Sequence, residues 1–260
     1  MMADAGLLPL WKFATLDDRA ISHGVSTRAG GVSDGPYASL NLGASVGDDA
    51  DRVCENRARF ARALEFSPER LVTTPQVHGD GILVVDESSV DQAPSTRADI
   101  LLTVHADYLL MLRFADCVPL LFWHPEARAV GVAHAGWRGT ATGVAERAVS
   151  ALQELAAAKP AGLQAGIGPS IGPCCYEVGP EVASRFADAE GLVQPGPSGR
   201  PYLDLWEANR RALLAAGVPN AAIEVAGVCT RCSADTFFSH RAQGYPAGRF
   251  GAAIGLRPHV

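Results

Sequence analysis

Three short segments of the chain each place a metal-binding or nucleophilic side chain where an apolar run gives way to a turn. They are Thr74-Pro75-Gln76-Val77-His78-Gly79, Phe114-Ala115-Asp116-Cys117-Val118-Pro119 and Val132-Ala133-His134-Ala135-Gly136-Trp137-Arg138-Gly139. Loops at strand ends often carry functional groups. His78, Cys117 and His134 would supply two imidazoles and one thiolate, a set that suits zinc with its fourth position left for water or substrate.

The spacing of these three residues does not by itself establish a metal site. The segments are far apart in the chain, and no CxxC or HExxH motif links them. The same residues are also consistent with a Cys117 packed in the core and two loop histidines that make ordinary hydrogen bonds.

The elements that must position these residues can be predicted from apolar patterning. Short apolar runs predict strands over residues 20–27, 71–74, 82–85, 100–103, 109–114, 119–123, 129–133, 164–167, 223–228 and 249–256. Several runs are apolar on both faces, which indicates a sheet covered on both sides. Helices are predicted after the capping residues Asp48 and Asp49, over 140–157 and 181–187, and from Asp204 to Gly217. We expect one α+β domain over residues 1–260.

Composition narrows the function classes. The chain has 260 residues, 48% of them hydrophobic, and a formal net charge of −6. No apolar stretch reaches the roughly 18 residues of a membrane span, and the first 18 residues lack a positive signal-peptide region. An acidic chain also argues against nucleic-acid binding. We therefore expect a cytoplasmic protein with a small-molecule partner, neither membrane nor nucleic acid; the sequence leaves its oligomeric state open.

Several sequence blocks together resemble the YfiH-type family, the "laccase-domain" proteins also called purine nucleoside phosphorylases. The blocks run in order from His23-Gly24-Val25-Ser26-Thr27-Arg28-Ala29-Gly30-Gly31 and Tyr37-Ala38-Ser39-Leu40-Asn41-Leu42-Gly43, through the three segments above, to Gly168-Pro169, Tyr176-Glu177-Val178-Gly179 and Phe237-Phe238-Ser239-His240-Arg241. One position departs, because the usual second arginine after Arg241 is Ala242. Only the role of that second arginine is put in doubt.

The resemblance implies a fold, a ligand set and activities. The fold would be a four-layer α/β/β/α arrangement similar to the cytotoxic-necrotizing-factor catalytic domain. The metal ligands would be His78, Cys117 and His134. The activities would be zinc-dependent phosphorolysis of adenosine, inosine, guanosine and methylthioadenosine, together with deamination of adenosine.

Further residues can be given roles in such a site. Asp116 would move protons, although a turn aspartate is an equal alternative. Arg28, beside Gly30 and Gly31, and Arg138 would bind phosphate, with surface salt bridges as the alternative for both. Trp137 or Tyr37 would stack on a purine unless they pack in the core. His23 and His240 are further candidates to line the pocket.

Three other functions stay open. The family's older label is copper-dependent polyphenol oxidase, and the His78, Cys117 and His134 set could hold one copper ion. However, no two of the seven histidines are two positions apart, unlike the His-x-His pairs of laccases. A metal-free hydrolase or amidase acting on a cell-wall precursor would use Cys117 as nucleophile and His134 as base. A structural metal protein would need a fourth ligand, such as His105, to close the shell.

The remaining cysteines are best interpreted as thiols packed in the fold. Three disulfides are not expected in a chain of this size without a secretion signal. Cys229 and Cys232 form a CxxC and Cys174-Cys175 is a vicinal pair, so together they could make a four-cysteine zinc site. The usual structural sites use two CxxC-like pairs, however. We therefore predict ordinary packed thiols at these positions and at Cys54.

Overall fold

The computed structural model describes residues 8–16, 19–157, 159–196 and 199–258. His259, and part of the region from 1 to 18 considered above, lie outside the described residues. The strands are β1 (Leu10–Trp11), β2 (Ile21–Ser26), β3 (Leu71–Val72), β4 (Ile82–Val84), β5 (Ile100–Thr103), β6 (Leu109–Phe114), β7 (Val118–His124), β8 (Ala129–Ala135), β9 (Gln164–Ile167), β10 (Val193–Pro195), β11 (Pro201–Leu203), β12 (Ile223–Val225) and β13 (Phe250–Leu256).

Helices alternate with groups of strands along the described part of the chain. They are α1 (Ala50–Ala63), α2 (Trp137–Ala141), α3 (Val144–Ala156), α4 (Pro180–Ala183), α5 (Leu205–Ala215) and α6 (His240–Gln243). Single 3₁₀ turns occupy Ala14–Leu16, Gly35–Tyr37, Pro68–Arg70, Val90–Gln92, Pro160–Gly162, Ser184–Phe186 and Asn220–Ala222. Among the described residues, no helix is long and apolar enough to cross a membrane.

The strands form two large sheets and a small hairpin. One sheet has the order β1-β2-β13-β6-β3, and the other has the order β12-β9-β7-β8-β5-β4. Strands β10 and β11 pair separately as an antiparallel hairpin. Antiparallel and parallel pairs occur in both large sheets, so the fold is α+β, as predicted.

The core has three apolar layers, which establish the predicted α/β/β/α order. Between the sheets, Leu110 and Leu112 of β6 pack with Leu121 of β7 in one buried cluster. On the outer face of the larger sheet, a second cluster joins its strands to helices α3 and α5. On the outer face of the smaller sheet, Leu109 and Met111 of β6 pack with side chains of α1. Alternate residues of β6 thus face opposite layers, as strand geometry requires.

Local signals explain the element boundaries. Asp49 caps α1, since its carboxylate accepts hydrogen bonds from the backbone N–H groups of Asp51 and Arg52. Asp204 caps α5 in the same way. The helix predicted over 140–157 is divided into α2 and α3, because Gly143 adopts a φ of 82° that a continuing helix cannot hold. That prediction is therefore wrong at the start of the helix.

Candidate metal centre

The three candidate ligands converge at one end of the two sheets. His78 lies in the loop between β3 and β4, Cys117 in the turn between β6 and β7, and His134 near the end of β8. Pairing of Pro119 with His134 in the β7–β8 ladder brings the Cys117 turn beside His134. The ligand atoms of the three residues all lie within 4.8 Å of one another. No fourth histidine, cysteine or carboxylate of the described residues joins this group, and His105 lies outside it.

A buried carboxylate, Asp99, holds the His78 loop in place. Asp99 lies directly before β5, and its oxygens accept hydrogen bonds from the backbone N–H groups of Val77 (3.0 Å), His78 (3.1 Å) and Gly79 (3.0 Å). His78 has a φ of 60°, a region that side-chain-bearing residues rarely adopt. The three hydrogen bonds explain how the loop keeps that conformation.

Asp99 also orients His134. The Nδ1 atom of His134 lies 2.7 Å from Asp99 Oδ1, and neither side chain is exposed by more than 4%. A histidine that donates Nδ1–H to a carboxylate keeps the lone pair of Nε2 for a metal, an arrangement typical of zinc ligands. The pKa of Asp99 is lowered: burial raises it, but the hydrogen bonds from His134 and the loop outweigh burial.

The cysteine and the buried histidine stabilise each other's charge. Burial raises the pKa of Cys117, but the interactions with His134 and His78 are stronger together and lower it to about 6. Burial lowers the pKa of His134, yet Cys117 and Asp99 raise it to about 9. The protein thus favours the thiolate, which is the form of cysteine that binds metals.

The cluster opens into a cavity of about 500 Å³. Its lining comprises Gly43, Ser45, Val46, Gln76, His78, Arg113, Ala115, Asp116, Cys117, His134, Ile171, Tyr176, His240, Arg241 and Arg249. Gly136 lies against the cluster. A Cβ atom added at this position would lie only 3.0 Å from Cys117 Sγ, so a side chain there would crowd the thiol. Three ligands next to a cavity are characteristic of catalytic zinc sites, whereas structural sites are closed by four ligands.

Asp116, for which the sequence predicted a role in proton transfer, lines the cavity. Its Oδ1 accepts a hydrogen bond from Thr230 Oγ1 (2.7 Å), and its Oδ2 accepts one from the backbone N–H of Arg241 (2.6 Å). Its φ of 91° turns the residue out of β6 ahead of Cys117. Both carboxylate oxygens are therefore held in position by the chain.

The structure does not bring the two predicted phosphate ligands to this cavity. The guanidinium of Arg28 donates to the carbonyls of Ala38 (2.9 Å) and Ala234 (2.7 Å) and lies over the ring of Phe238. Arg28 thus fastens the glycine-rich loop to the chain near residue 234. Arg138 is exposed and stacks on Trp137. Neither arginine lines the cavity.

Other arginines line the cavity in which Arg28 and Arg138 were expected. Arg113, at the end of β6, and Arg249, before β13, both line the cavity, and Arg57 of α1 influences Arg113 from nearby. Burial, followed by the charges of Arg57 and Arg249, lowers the pKa of Arg113 to about 10. Within the described residues, none of these three arginines forms a salt bridge. The guanidinium of Arg113 donates to Gln76 Oε1 (3.1 Å) and to the Thr74 carbonyl (2.6 Å), and that of Arg249 donates to the carbonyls of Ala247 (2.7 Å) and Gly248 (2.9 Å). Their positive charges remain at the cavity wall, where they suit an anion.

Of the aromatic residues and histidines predicted to line the pocket, only one lies at the cavity. Tyr37 donates its hydroxyl hydrogen bond to the Val46 carbonyl, and Trp137 packs against the core. His23 is buried, accepts a hydrogen bond from the Phe13 N–H and does not line this cavity. His240 does line it, and so does Tyr176, which the sequence analysis did not select.

A two-sheet α+β fold with a histidine–cysteine cluster at the mouth of a cavity defines a metal-binding class of enzyme. The chain matches the family described as multi-copper polyphenol oxidoreductase laccase over residues 22–257, and it belongs to that family. The predicted YfiH-type resemblance is thereby confirmed.

Named relatives cover most of the chain. Purine nucleoside phosphorylase YlmD of Geobacillus stearothermophilus is 45% identical over 245 residues, which cover 90% of this chain and 89% of that protein. Adenosine deaminase RL5, from an unknown prokaryotic organism, is 37% identical and covers 82% of this chain and 85% of its own. The crystal structure of the Bacillus licheniformis hypothetical protein YfiH superposes with a TM-score of 0.87 at 36% identity, covering 91% and 93%. The prediction of an enzyme is confirmed.

Proposed function

We propose that this chain is a zinc-dependent purine nucleoside phosphorylase that also deaminates adenosine. The observation that carries the proposal is a single cavity lined both by the His78, Cys117 and His134 cluster and by the guanidinium-bearing residues Arg113 and Arg249. The names of the relatives support the two activities.

The donor set fits zinc. Two imidazoles and a thiolate within 4.8 Å match its preferred ligands, and Asp99 supplies the carboxylate partner that zinc-binding histidines usually have. When bound, zinc would supply Lewis acidity and lower the pKa of a coordinated water to about 7.

In phosphorolysis, Arg113 and Arg249 hold the phosphate dianion against C1′ of the ribose. A phosphate oxygen forms the new bond to C1′ while the bond from C1′ to the purine nitrogen breaks, and the electron pair leaves with the base. The cationic groups retain the anion in the cavity throughout. Tyr176, on the same lining, provides a ring face for the purine.

In deamination, Asp116 receives a proton from the attacking water and delivers it to the departing amine. Its carboxylate is kept in position by Thr230 and by the backbone N–H of Arg241, so the proton is held at a defined place in the cavity. Ammonia and inosine are the products of this route.

One observation favours a second candidate, the metal-free hydrolase. Cys117 and His134 lie within 4.8 Å of each other, and their interaction lowers the pKa of the thiol and raises that of the imidazole, as in cysteine nucleophiles that act with a histidine. Hydrolysis of an amide substrate that survives complete removal of zinc by a chelator would support this candidate. Turnover of adenosine that is lost when zinc is removed and returns when zinc is added would support the phosphorylase proposal.

The polyphenol oxidase alternative has less support. A multicopper centre needs several metal sites with histidine ligands, and the described residues contain a single group that includes histidine. Copper in the His78, Cys117 and His134 set would therefore give oxidase activity only as a side reaction.

The phosphate role is tested with matched arginine variants. Arg249→Gln removes a charge from the cavity, so the KM for phosphate should rise at least about tenfold, while phosphate-independent deamination changes less. Arg138→Gln removes an exposed arginine outside the cavity and serves as the control. An unchanged KM in Arg249→Gln would contradict the assignment.

A further inference from the structure

A second group of metal-binding side chains lies beside the first. Cys174 and Cys175 come from the irregular segment after β9, and Cys229 and Cys232 from the turn after β12. Their four sulfur atoms lie within 4.8 Å of one another. The sequence analysis favoured packed thiols here and left a four-cysteine site as the alternative. Only Cys175 and Cys229 are buried, whereas Cys174 and Cys232 are exposed. The two loops meet through the bridge between Ser170 and Cys229, which brings the four sulfur atoms together.

The sulfur positions fit a tetrahedral metal. A zinc–sulfur bond of about 2.3 Å implies sulfur atoms about 3.8 Å apart. Cys232 Sγ lies 3.8 Å from Cys174 Sγ and 3.4 Å from Cys175 Sγ. The backbone carbonyl of Gly172 accepts a hydrogen bond from the backbone N–H of Cys175. This turn places Cys174 and Cys175 beside the loop that carries Cys229 and Cys232, although the vicinal pair is not a CxxC.

Two groups next to the sulfur atoms carry positive or partial positive charge. The backbone N–H of Gly172 donates to Cys229 Sγ (3.3 Å), and the Arg231 guanidinium lies close enough to Cys175 for the two to interact electrostatically. N–H donors and a nearby cation offset the negative charge that four thiolates leave on a divalent ion. Ile171 and Trp206 pack against the buried Cys175 and Cys229, so the group has an apolar side.

We propose that Cys174, Cys175, Cys229 and Cys232 bind a structural zinc ion that fastens the loop after β9 to the turn after β12. Binding exchanges the thiol protons for the metal, with no change of oxidation state. Four cysteine ligands close the coordination shell, which distinguishes this site from the open centre.

The two fastened loops also form part of the cavity wall. Thr230, inside the CxxC, donates to Asp116, and Ile171 and Tyr176 line the cavity next to Gly172 and Cys175. The backbone N–H of Ile171 additionally donates to the Asp116 carbonyl (2.9 Å). The structural ion would thus keep Asp116 in position without contacting substrate.

Metal counting tests the proposal on protein purified with zinc and a reductant. Wild type and the control Cys54→Ser, an exposed cysteine outside both groups, should contain about two zinc ions per chain. Cys117→Ala should retain about one, and the double variant Cys174→Ser/Cys232→Ser should also retain about one. A Cys117→Ala protein without zinc, or a double variant with the wild-type content, would overturn the proposal.

A second measurement covers the case in which the double variant does not fold. Cys117→Ala keeps all four cysteines, so after replacement of zinc by Co²⁺ it should show the absorption bands of a tetrahedral four-thiolate site. Absence of those bands in the folded variant would overturn the proposal. Neither readout uses nucleoside turnover, so the inference can fail or hold independently of the proposed function.

Discussion

Asp99 connects more of the candidate centre than any of the predicted ligands does. Its carboxylate accepts hydrogen bonds from three backbone N–H groups of the His78 loop and also contacts the ring of His134. The side chain of Asp99 is fully buried and lies directly before β5. A single carboxylate therefore sets the distance between two of the three ligands. Partners of this kind tune a metal site almost as strongly as the ligands themselves.

Asp99→Asn should lower zinc affinity about 10- to 100-fold, because the amide keeps the shape but loses the charge and one of the two acceptor oxygens. Competition with a chromophoric chelator measures this. Asp80→Asn, which alters an exposed aspartate paired with Arg147, is the matched control and should bind zinc like wild type. Equal affinity in both variants would exclude a role for Asp99 at the metal.

The residues that sequence reasoning found and missed differ in a physical way. His78, Cys117 and His134 lie in segments with distinctive neighbours, so the resemblance could locate them. Arg113 and Arg249 come together because β6 pairs with β13, with Phe250 opposite Phe114, whereas Asp99 precedes β5 in the other sheet and is brought close by the packing of the two sheets. A charged residue beside a buried strand, as at Asp99 and Arg113, was the available signal.

At the scale of elements, apolar runs predicted the strands well because most are buried on both faces. Strands β6 and β9 have the predicted bounds, 109–114 and 164–167. The helix predicted over 140–157 was begun too early, because Gly143 interrupts it with a φ of 82° and α3 starts at Val144. The order of strands in the sheets could not be read from such runs, since it depends on pairing between distant segments.

Strand β2 carries a buried titratable group that gives a prediction for stability. Burial, together with the charge of Lys12, lowers the pKa of His23 to about 4, so His23 stays neutral in the folded protein. Once unfolded, the residue binds a proton below about pH 6.5. Stability should therefore fall as pH decreases from about 6.5 to about 4, by up to about 3 kcal/mol from this residue.

Urea unfolding across this pH range measures the effect against His23→Gln. The glutamine cannot titrate, and its amide can still accept the hydrogen bond from the Phe13 N–H. The variant should lose clearly less stability than wild type between pH 6.5 and 4. Parallel pH profiles for the two proteins would show that His23 is not the group responsible.

At the scale of the whole molecule, an acidic chain must build an anion site locally. The formal charge of −6 disfavours phosphate at long range, yet Arg113 and Arg249 line one cavity and Arg57 lies close enough to Arg113 to lower its pKa. His78, Cys117 and His134 line the same cavity. The fold thus gathers positive charge beside the histidine–cysteine cluster.

The central claim is that one zinc cavity carries out both nucleoside reactions. The direct measurement is chromatographic product identification from adenosine, with and without phosphate, for wild type, Cys117→Ala and the control Cys54→Ser, each checked for folding by circular dichroism. Wild type and Cys54→Ser should form adenine and ribose 1-phosphate only with phosphate and inosine without it, whereas folded Cys117→Ala should form neither. Full adenosine turnover by folded Cys117→Ala would contradict the account.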